Sequence, residues 1–198
     1  MTAPLRGAPG DAPHAGPARS RVLVLFAHPA FHRSRVHRAF LKAVQGLENV
    51  RVHDLYEAYP DFDVDVRREQ QLLESHDVVV LQHPIYWYST PALVKQWFDL
   101  VLELGWAYGA GGTALAGKRL LCAVSTGGRA GSYGPEGQNR LTLRELLAPV
   151  EQTARLCGFE FLEPYVVYGT HALSPLEIER AAAGYAERLA SLRDGAER

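Results

Sequence analysis

The segment AHPAFHRSRVHR, residues 27–38, contains residue types suited to ligand binding. In it, Ser34 lies at the expected start of a helix beside Arg33 and Arg35. Free backbone amides and the positive end of the helix dipole make such a helix terminus a suitable phosphate site. The alternative is a capping serine between solvated arginines, and the loop alone favours neither. A dinucleotide pyrophosphate is disfavoured, because the segment lacks Gly-x-Gly-x-x-Gly.

Three consecutive aromatic residues, Tyr86, Trp87 and Tyr88, follow an apolar run and stand between Pro84 and Pro91. Successive side chains cannot share one face of a strand or helix, so at least one of the three must point away from the core. The cluster could be a packed corner between a strand and a helix, which both prolines would fit. It could also form one wall of a ligand site.

Paired glycines in STGGRAGSYG, residues 125–134, directly follow another apolar run. Gly127 and Gly128 would let the backbone approach a flat ligand closely and turn its amides toward it. A simple turn is the alternative, and the pattern by itself is weak evidence.

Two other patterns do not favour a site. His28, His32 and His37 lack the carboxylate or thiolate support of a usual metal centre, so no metal is expected. The segment GTALAGKR matches part of a P-loop, but Arg119 replaces the magnesium-binding serine or threonine, and the segment precedes a strand.

The composition indicates one ordinary globular domain of 198 residues, 47% hydrophobic and 22% charged. A formal net charge of -1 argues against a nucleic-acid binder and a strongly acidic electron carrier.

Cys122 and Cys157 lack Cys-x-x-Cys spacing and are expected to be buried thiols of a cytoplasmic protein. Residues 1–20, rich in Pro, Gly and Ala, are predicted to form a disordered extension without a secretory signal. No apolar run reaches the roughly 18 residues that span a bilayer.

Short apolar runs alternate with longer amphipathic runs through residues 21–198, which we predict to form a single domain. The alternation predicts an α/β fold with five parallel strands and helices on both faces of the sheet. The predicted strands are residues 21–27, 50–55, 77–82, 119–125 and 160–168, and the predicted helices are residues 34–44, 64–76, 92–102, 141–156 and 176–192. Ligands bind such sheets beyond the carboxyl ends of the strands, which selects the loops 28–34, 83–91 and 125–139.

Together the three loops offer what a flavin mononucleotide needs: a phosphate site, an aromatic wall and backbone donors for the polar edge of the ring. Their motifs resemble those of the flavodoxin-like NAD(P)H:quinone oxidoreductase family. The closest likeness is to the branch that includes the ancillary flavoprotein of the glutathione-regulated potassium-efflux system. The similar segments, within residues 21 to about 192, are AHP (27–29), YPDF (59–62), QHPIYWYSTPALVKQWFD (82–99), GWAYGAGGTALAGK (105–118) and STGG (125–128).

This resemblance implies a flavodoxin-like sheet with strand order 2-1-3-4-5 and a role for each loop. FMN is favoured over FAD because the similar branch uses FMN; FAD stays an alternative, and NADPH or NADH would be the electron donor. The phosphate end would be held by His28, Ser34, Arg35, Val36 and His37. The ring would lie along Ile85, Tyr86, Trp87 and Tyr88, with its amide edge at Ser125, Thr126, Gly127 and Gly128.

Two positions depart from the family pattern. His37 stands where asparagine is common, and Asn139 stands where mammalian-type quinone reductases have a relay histidine. Tyr133 keeps the spacing of the relay tyrosine and is our candidate for a hydrogen bond to the electron acceptor, to which Asn139 could also bond. Amides near Gly128 would stabilise negative charge on the reduced ring.

The resemblance implies an NAD(P)H dehydrogenase that reduces quinones by a two-electron, ping-pong hydride transfer. It also implies a homodimer with active sites at the interface, to which Trp106 and Tyr108 could contribute. The alternative is a regulatory subunit of a potassium/proton antiporter with secondary reductase activity. Such a protein would be cytoplasmic, or held at the inner face of the membrane by its partner. A one-electron carrier is disfavoured by the near-neutral charge.

Overall fold

The computed structural model describes residues 19–196, so residues 1–18 of the predicted extension lie outside it. The strands are β1 (Val22–Phe26), β2 (Val50–Asp54), β3 (Val78–Pro84), β4 (Arg119–Ser125), β5 (Glu160–Phe161) and β6 (Tyr165–Val167). The helices are α1 (Arg35–Val44), α2 (Leu55–Ala58), α3 (Val66–Glu74), α4 (Ala92–Val101), α5 (Leu143–Leu146), α6 (Ala148–Leu156) and α7 (Pro175–Arg193). Within residues 19–196, no helix combines the length and hydropathy that a membrane crossing requires.

All strand pairs of the sheet are parallel, in the order β2-β1-β3-β4-β5, and β6 also pairs with β4. Every residue of β1 and β3 is buried, as their unbroken apolar runs predict for strands covered on both faces. The predicted flavodoxin-like fold, with its strand order, is confirmed.

A hydrophobic core lies on each face of the sheet, because successive side chains of a strand point in opposite directions. On one face Val24 and Phe26 pack with α1 and α7, where Phe40 stacks on Tyr185 with ring centroids 4.4 Å apart. On the other face the alternate residues of the strands pack with α3, α4 and α6. Both layers hold the central strands rigidly beneath the loops at their carboxyl ends.

Prolines divide two elements that the sequence pattern predicts as continuous. Residues 160–168 form β5 and β6, both paired with β4, and Pro164 lies between them without an N–H for the ladder. The predicted helix 141–156 begins at Leu143 and is interrupted at Leu147, because Pro149 occupies the first turn of α6. The last residue of the predicted extension is bonded to the fold, because the N–H of Ser20 donates to the carbonyl of Arg193 at the end of α7 at 2.8 Å.

A buried carboxylate joins three elements near the carboxyl end of β2. Glu69 of α3 is fully buried and accepts hydrogen bonds from Trp97 Nε1 at 2.8 Å and from the hydroxyl of Tyr59. It also bonds His53 Nε2 at 2.7 Å. Because Trp97 belongs to α4, this cluster fixes the helix that follows the aromatic segment.

Replacing Glu69 with glutamine should lower the free energy of unfolding by about 2 kcal/mol, because an amide nitrogen would face a buried donor. Glu74→Gln is the matched control: Glu74 also lies on α3 and accepts from an indole, Trp106 Nε1, at 2.8 Å, but it is exposed. Urea unfolding would compare the two variants. Equal effects would contradict the assigned role of the buried carboxylate.

Candidate functional site

Two adjoining cavities lie at the carboxyl edge of the sheet, where the parallel strands end together. The first has a volume of about 340 Å³ and the second about 280 Å³, and Ile85 and Gly127 line both. Among the predicted site residues, the first is lined by His28, Ser34, Arg35, Val36, Ile85, Tyr86, Ser125 and Gly127. The second is lined by Ile85, Trp87, Tyr88, Thr126, Gly127, Gly128, Tyr133 and Asn139. Of the predicted residues, His37 lines neither.

The start of α1 forms one end of the first cavity. Ser34 is the N-cap, and its hydroxyl oxygen accepts the backbone N–H of His37 at 3.2 Å. Arg35 Nη2 donates to the carbonyl of Leu173 at 2.9 Å, which ties this loop to the one after β6. Nδ1 of His28 accepts the N–H of Ala30 at 3.1 Å, so the loop is held by its own hydrogen bonds. Arg35 and Val36 of the first turn line the cavity, and N–H groups at such a helix start are suited to binding an anion.

His37 lies behind the cavity wall. Its side chain is fully buried, and Nε2 is 2.8 Å from Oγ of Ser125. Burial, with smaller effects from His28 and His83, lowers the pKa of His37 to about 3. The imidazole is therefore neutral at ordinary pH and reaches the cavity only through the residues it supports.

The aromatic segment forms a two-residue turn. Tyr86 and Ser89 exchange two backbone hydrogen bonds, each 3.0 Å long, and Trp87 and Tyr88 occupy the tip. Their φ angles are +47° and +64°, in the left-handed region that is unfavourable for bulky residues and normally taken by Asn-Gly. Trp87 is 93% exposed. Strain of this kind, at a tip that presents an aromatic ring, is typical of functional sites.

Gly127 lines both cavities and Gly128 lines the second, and each lies against a side chain. A Cβ on Gly127 would be 3.0 Å from Nε2 of His171, and one on Gly128 would be 3.1 Å from the hydroxyl of Tyr133. The Thr126 hydroxyl bonds the Tyr133 hydroxyl and accepts the Gly128 N–H at 3.0 Å. A larger residue at either position would therefore press on His171 or Tyr133 unless that side chain shifted.

Asn139 and Tyr133 lie on the same loop and line the second cavity together. The backbone N–H of Asn139 donates to the carbonyl of Ser132 at 2.9 Å, which closes the loop on itself. The structure thus brings the two predicted acceptor-side residues to one wall, next to Gly128.

The loop after β6 contributes residues that we did not predict. Thr170 and His171 line the first cavity. The N–H of Thr170 donates to the carbonyl of Thr126 at 3.1 Å, and that of Gly169 donates to Gly128 at 2.8 Å. The rule that ligands bind beyond strand ends, applied to the fifth strand as well, would have found this loop. The remaining lining residues lie in the three loops selected from the sequence and were not assigned individual roles; they are Ala30, Arg33, Pro84, Ser132 and Gln138.

The segment that resembles a P-loop lies away from this edge. Residues 112–118 lead into the amino end of β4, and Nζ of Lys118 donates to the carbonyls of His76 and Glu74 at 2.7 and 3.1 Å. Its ammonium group holds the end of α3. Cys122 and Cys157 are buried free thiols, as predicted.

The donor set of the two cavities fits a flavin mononucleotide. The first cavity has serine hydroxyls, helix amides and arginines, which suit a phosphate. The second has an exposed indole, a tyrosine hydroxyl and glycine backbone, which suit the face and edge of a flat ring. The fold and the site together define a flavodoxin-like protein.

Comparison with known proteins agrees. The chain belongs to the family with the flavodoxin-like fold, whose pattern matches residues 20–192. It is 46% identical over 171 residues to the glutathione-regulated potassium-efflux system ancillary protein KefG of Pectobacterium carotovorum subsp. carotovorum, covering 86% of this chain and 93% of that protein. The resemblance noted in the sequence motifs is thereby confirmed.

Solved structures share the fold at similar identity. General stress protein 14 of Treponema denticola, in complex with FMN, is 40% identical, with a TM-score of 0.83 over 87% of this chain and 99% of that one. An NADPH-quinone reductase from P. pentosaceus is 33% identical, with a TM-score of 0.78 over 85% of this chain and 96% of that one.

Replacing Trp87 with alanine should weaken FMN binding about ten-fold, because the aromatic wall would lose its largest ring. Trp87→Phe keeps an aromatic face and should retain most of the affinity. Both variants should fold normally, since the side chain is 93% exposed. Fluorescence titration with FMN would measure the affinities, and an unchanged affinity in Trp87→Ala would identify the cluster as a structural turn.

Proposed function

We propose that this chain is an FMN-dependent oxidoreductase that uses NAD(P)H to reduce a quinone. The observation that carries the proposal is the adjacency of two cavities with complementary chemistry, one suited to a phosphate and one to a flat ring. The similarity to general stress protein 14, solved with FMN, and to an NADPH-quinone reductase supports it.

The first cavity would hold the phosphate of FMN. The amides at the start of α1 and the hydroxyls of Ser34 and Ser125 are donors, which an acceptor-only dianion requires. Ser125 is given this role because it lines the first cavity, although the resemblance implies a place at the amide edge of the ring. The loop after β6 would close the cavity from the other side through Thr170 and His171. FMN is favoured over FAD because the similar general stress protein 14, which has the same fold, was solved in complex with FMN.

The second cavity would serve the reaction. Bound FMN supplies two-electron redox chemistry, accepting a hydride from the nicotinamide and passing two electrons to a quinone. The backbone N–H of Gly127 would stabilise negative charge at the polar edge of the ring, while that of Gly128 is held by the Thr126 hydroxyl. Trp87 and Tyr88 would exclude water from one side, and Tyr133 would donate a hydrogen bond to an oxygen of the acceptor.

Asn139 would assist at the same wall. Its side-chain amide can donate a hydrogen bond to the second lone pair of the acceptor oxygen. Unlike a histidine, it cannot take up and release a proton. The proton that accompanies the electrons would then come from solvent or through the Tyr133–Thr126 hydroxyl pair. Donor and acceptor would use the same cavity in turn, which makes the mechanism ping-pong.

A homodimer would complete the site. A groove of about 350 Å³ beside the aromatic turn is lined by apolar residues that include Phe98, Leu102 and Tyr108. Leu156 of this groove is 60% exposed, and the neighbouring Leu104 is 72% exposed. Exposed leucines at such a groove favour contact with a second copy. Trp106 donates to Glu74 and packs on the core, and its contribution to an interface stays a prediction.

A second function is supported by the similarity to KefG, an ancillary protein of a potassium-efflux system. The chain would then also bind the cytosolic part of an antiporter and would lie in the cytoplasm, at the inner face of the membrane. Co-purification with an antiporter would support this function without affecting the assignment of the flavin site.

Steady-state kinetics with NADPH and a benzoquinone test the proposed reaction. Double-reciprocal plots at several quinone concentrations should give parallel lines, because each substrate reacts in the absence of the other. Tyr133→Phe should lower kcat/KM for the quinone about ten-fold and leave that for NADPH unchanged. Tyr168→Phe is the control, since that ring packs 5.5 Å from Tyr133 and lies outside both cavities. Intersecting lines would contradict a shared site.

A further inference from the structure

Four buried polar side chains form a hydrogen-bonded relay from α7 to the first cavity. The hydroxyl of Tyr185 is 2.8 Å from Oε1 of Gln82, and Nε2 of Gln82 is 3.2 Å from Nδ1 of His37. Nε2 of His37 is in turn 2.8 Å from Oγ of Ser125. The first three side chains are fully buried, and Ser125 is 5% exposed at the cavity wall.

With the Gln82 amide oriented as in the structure, the chemistry of each group decides which partner donates in each hydrogen bond of the relay. A carboxamide oxygen only accepts, so the hydroxyl of Tyr185 is the donor to Gln82. The amide nitrogen of Gln82 only donates, so Nδ1 of His37 is the acceptor and carries no proton. A neutral imidazole then carries its proton on Nε2, and His37 donates to Ser125.

The same histidine also donates through its backbone. The N–H of His37 is bonded to Oγ of Ser34 at 3.2 Å. Oγ of Ser34 and Oγ of Ser125 thus each accept one hydrogen bond from His37. Within residues 19–196, neither hydroxyl donates to a protein acceptor, so both hydrogens are available to the cavity.

We propose that His37 is a positioning residue whose imidazole sets the Ser125 hydroxyl as a donor beside that of Ser34 and so makes the first cavity selective for a phosphate over a neutral group. The inference rests on the proposed function in that the phosphate is taken to be that of FMN. A phosphate dianion accepts at every oxygen and donates at none, which matches two hydroxyl donors beside helix amides. Riboflavin lacks the phosphate, and its neutral terminal hydroxyl can donate as well as accept, so it does not depend on two donors.

The surroundings of His37 maintain the required neutral state. Burial, with smaller effects from His28 and His83, lowers its pKa to about 3. The rings of Phe26 and Phe40 pack against the imidazole at centroid distances of 5.8 and 5.9 Å. The histidine therefore stays a single-proton donor at ordinary pH, and the relay decides which nitrogen holds that proton.

Tyr185→Phe tests the relay without changing any atom of the cavity. Loss of the hydroxyl removes the donor that holds Oε1 of Gln82 toward α7, so the amide is free to turn by 180° and present that oxygen to Nδ1 of His37. The imidazole proton would move to Nδ1, Nε2 would become an acceptor, and the Ser125 hydroxyl would turn back to it. The cavity would thus lose the Ser125 hydroxyl as a donor, although the substituted residue does not line the cavity.

Tyr165→Phe is the matched control. The hydroxyl of Tyr165 also bonds to α7, donating to the carbonyl of Ala181 at 2.7 Å, and its ring packs against Phe40 and Tyr185. It has no bond to the relay. A comparable loss of stability is expected in both variants, so an effect confined to Tyr185→Phe would come from the relay.

The experiment has two measurements. Long-range ¹H–¹⁵N NMR of the flavin-free chain at pH 7 should show His37 protonated on Nε2 in the wild type and in Tyr165→Phe, and on Nδ1 in Tyr185→Phe. Titration with FMN and with riboflavin should show that Tyr185→Phe weakens FMN binding about ten-fold and leaves riboflavin binding unchanged.

An Nδ1–H tautomer in the wild type would overturn the inference, whether or not the chain binds flavin. An unchanged tautomer in Tyr185→Phe, or a switched tautomer with unchanged FMN affinity, would overturn it as well, as would an equal loss for FMN and riboflavin. If the wild type fails to bind FMN, the proposed function and its phosphate fail together, while the NMR result still decides the direction of the relay.

Discussion

Parallel pairing of β1, β3 and β4 is the constraint on which the rest of the structure depends. Because these strands run in one direction and are covered on both faces, their carboxyl ends must meet at one edge of the sheet. The ladder continues past the strands, where the N–H of Ile85 donates to the carbonyl of Ser125 at 2.8 Å. Loops that are far apart in the sequence are thereby brought to the same two cavities.

The polar residues at this edge have a structural cost that the fold offsets with hydrogen bonds. Gln82 and His37 are fully buried among the aromatic side chains between the sheet and α1 and α7, where an unpaired polar group would be strongly destabilising. Each is bonded in the relay that ends at Ser125. Gln82 and His37 thus belong to the packed core, and in the proposed relay the same two side chains orient the Ser125 hydroxyl at the first cavity.

The strands, the N-cap at Ser34 and the three loops could be predicted, because they depend on local patterns and on one rule for parallel sheets. The division of the fifth strand could not be placed from its apolar pattern, although Pro164 marks it once the pairing with β4 is known. The left-handed backbone at Trp87 could not be predicted, because bulky aromatic residues normally avoid this conformation. The burial of His37 depends on which way α1 turns against the sheet, a tertiary property that no single segment encodes.

The central claim is that the edge of this sheet holds FMN. The most direct test is mass spectrometry of the cofactor released by heat from the purified chain, with the flavin quantified against the protein by absorbance. The account predicts FMN, equimolar with the chain after saturation and removal of excess. A chain that retains no flavin after incubation with FMN, or that releases only FAD, would contradict it.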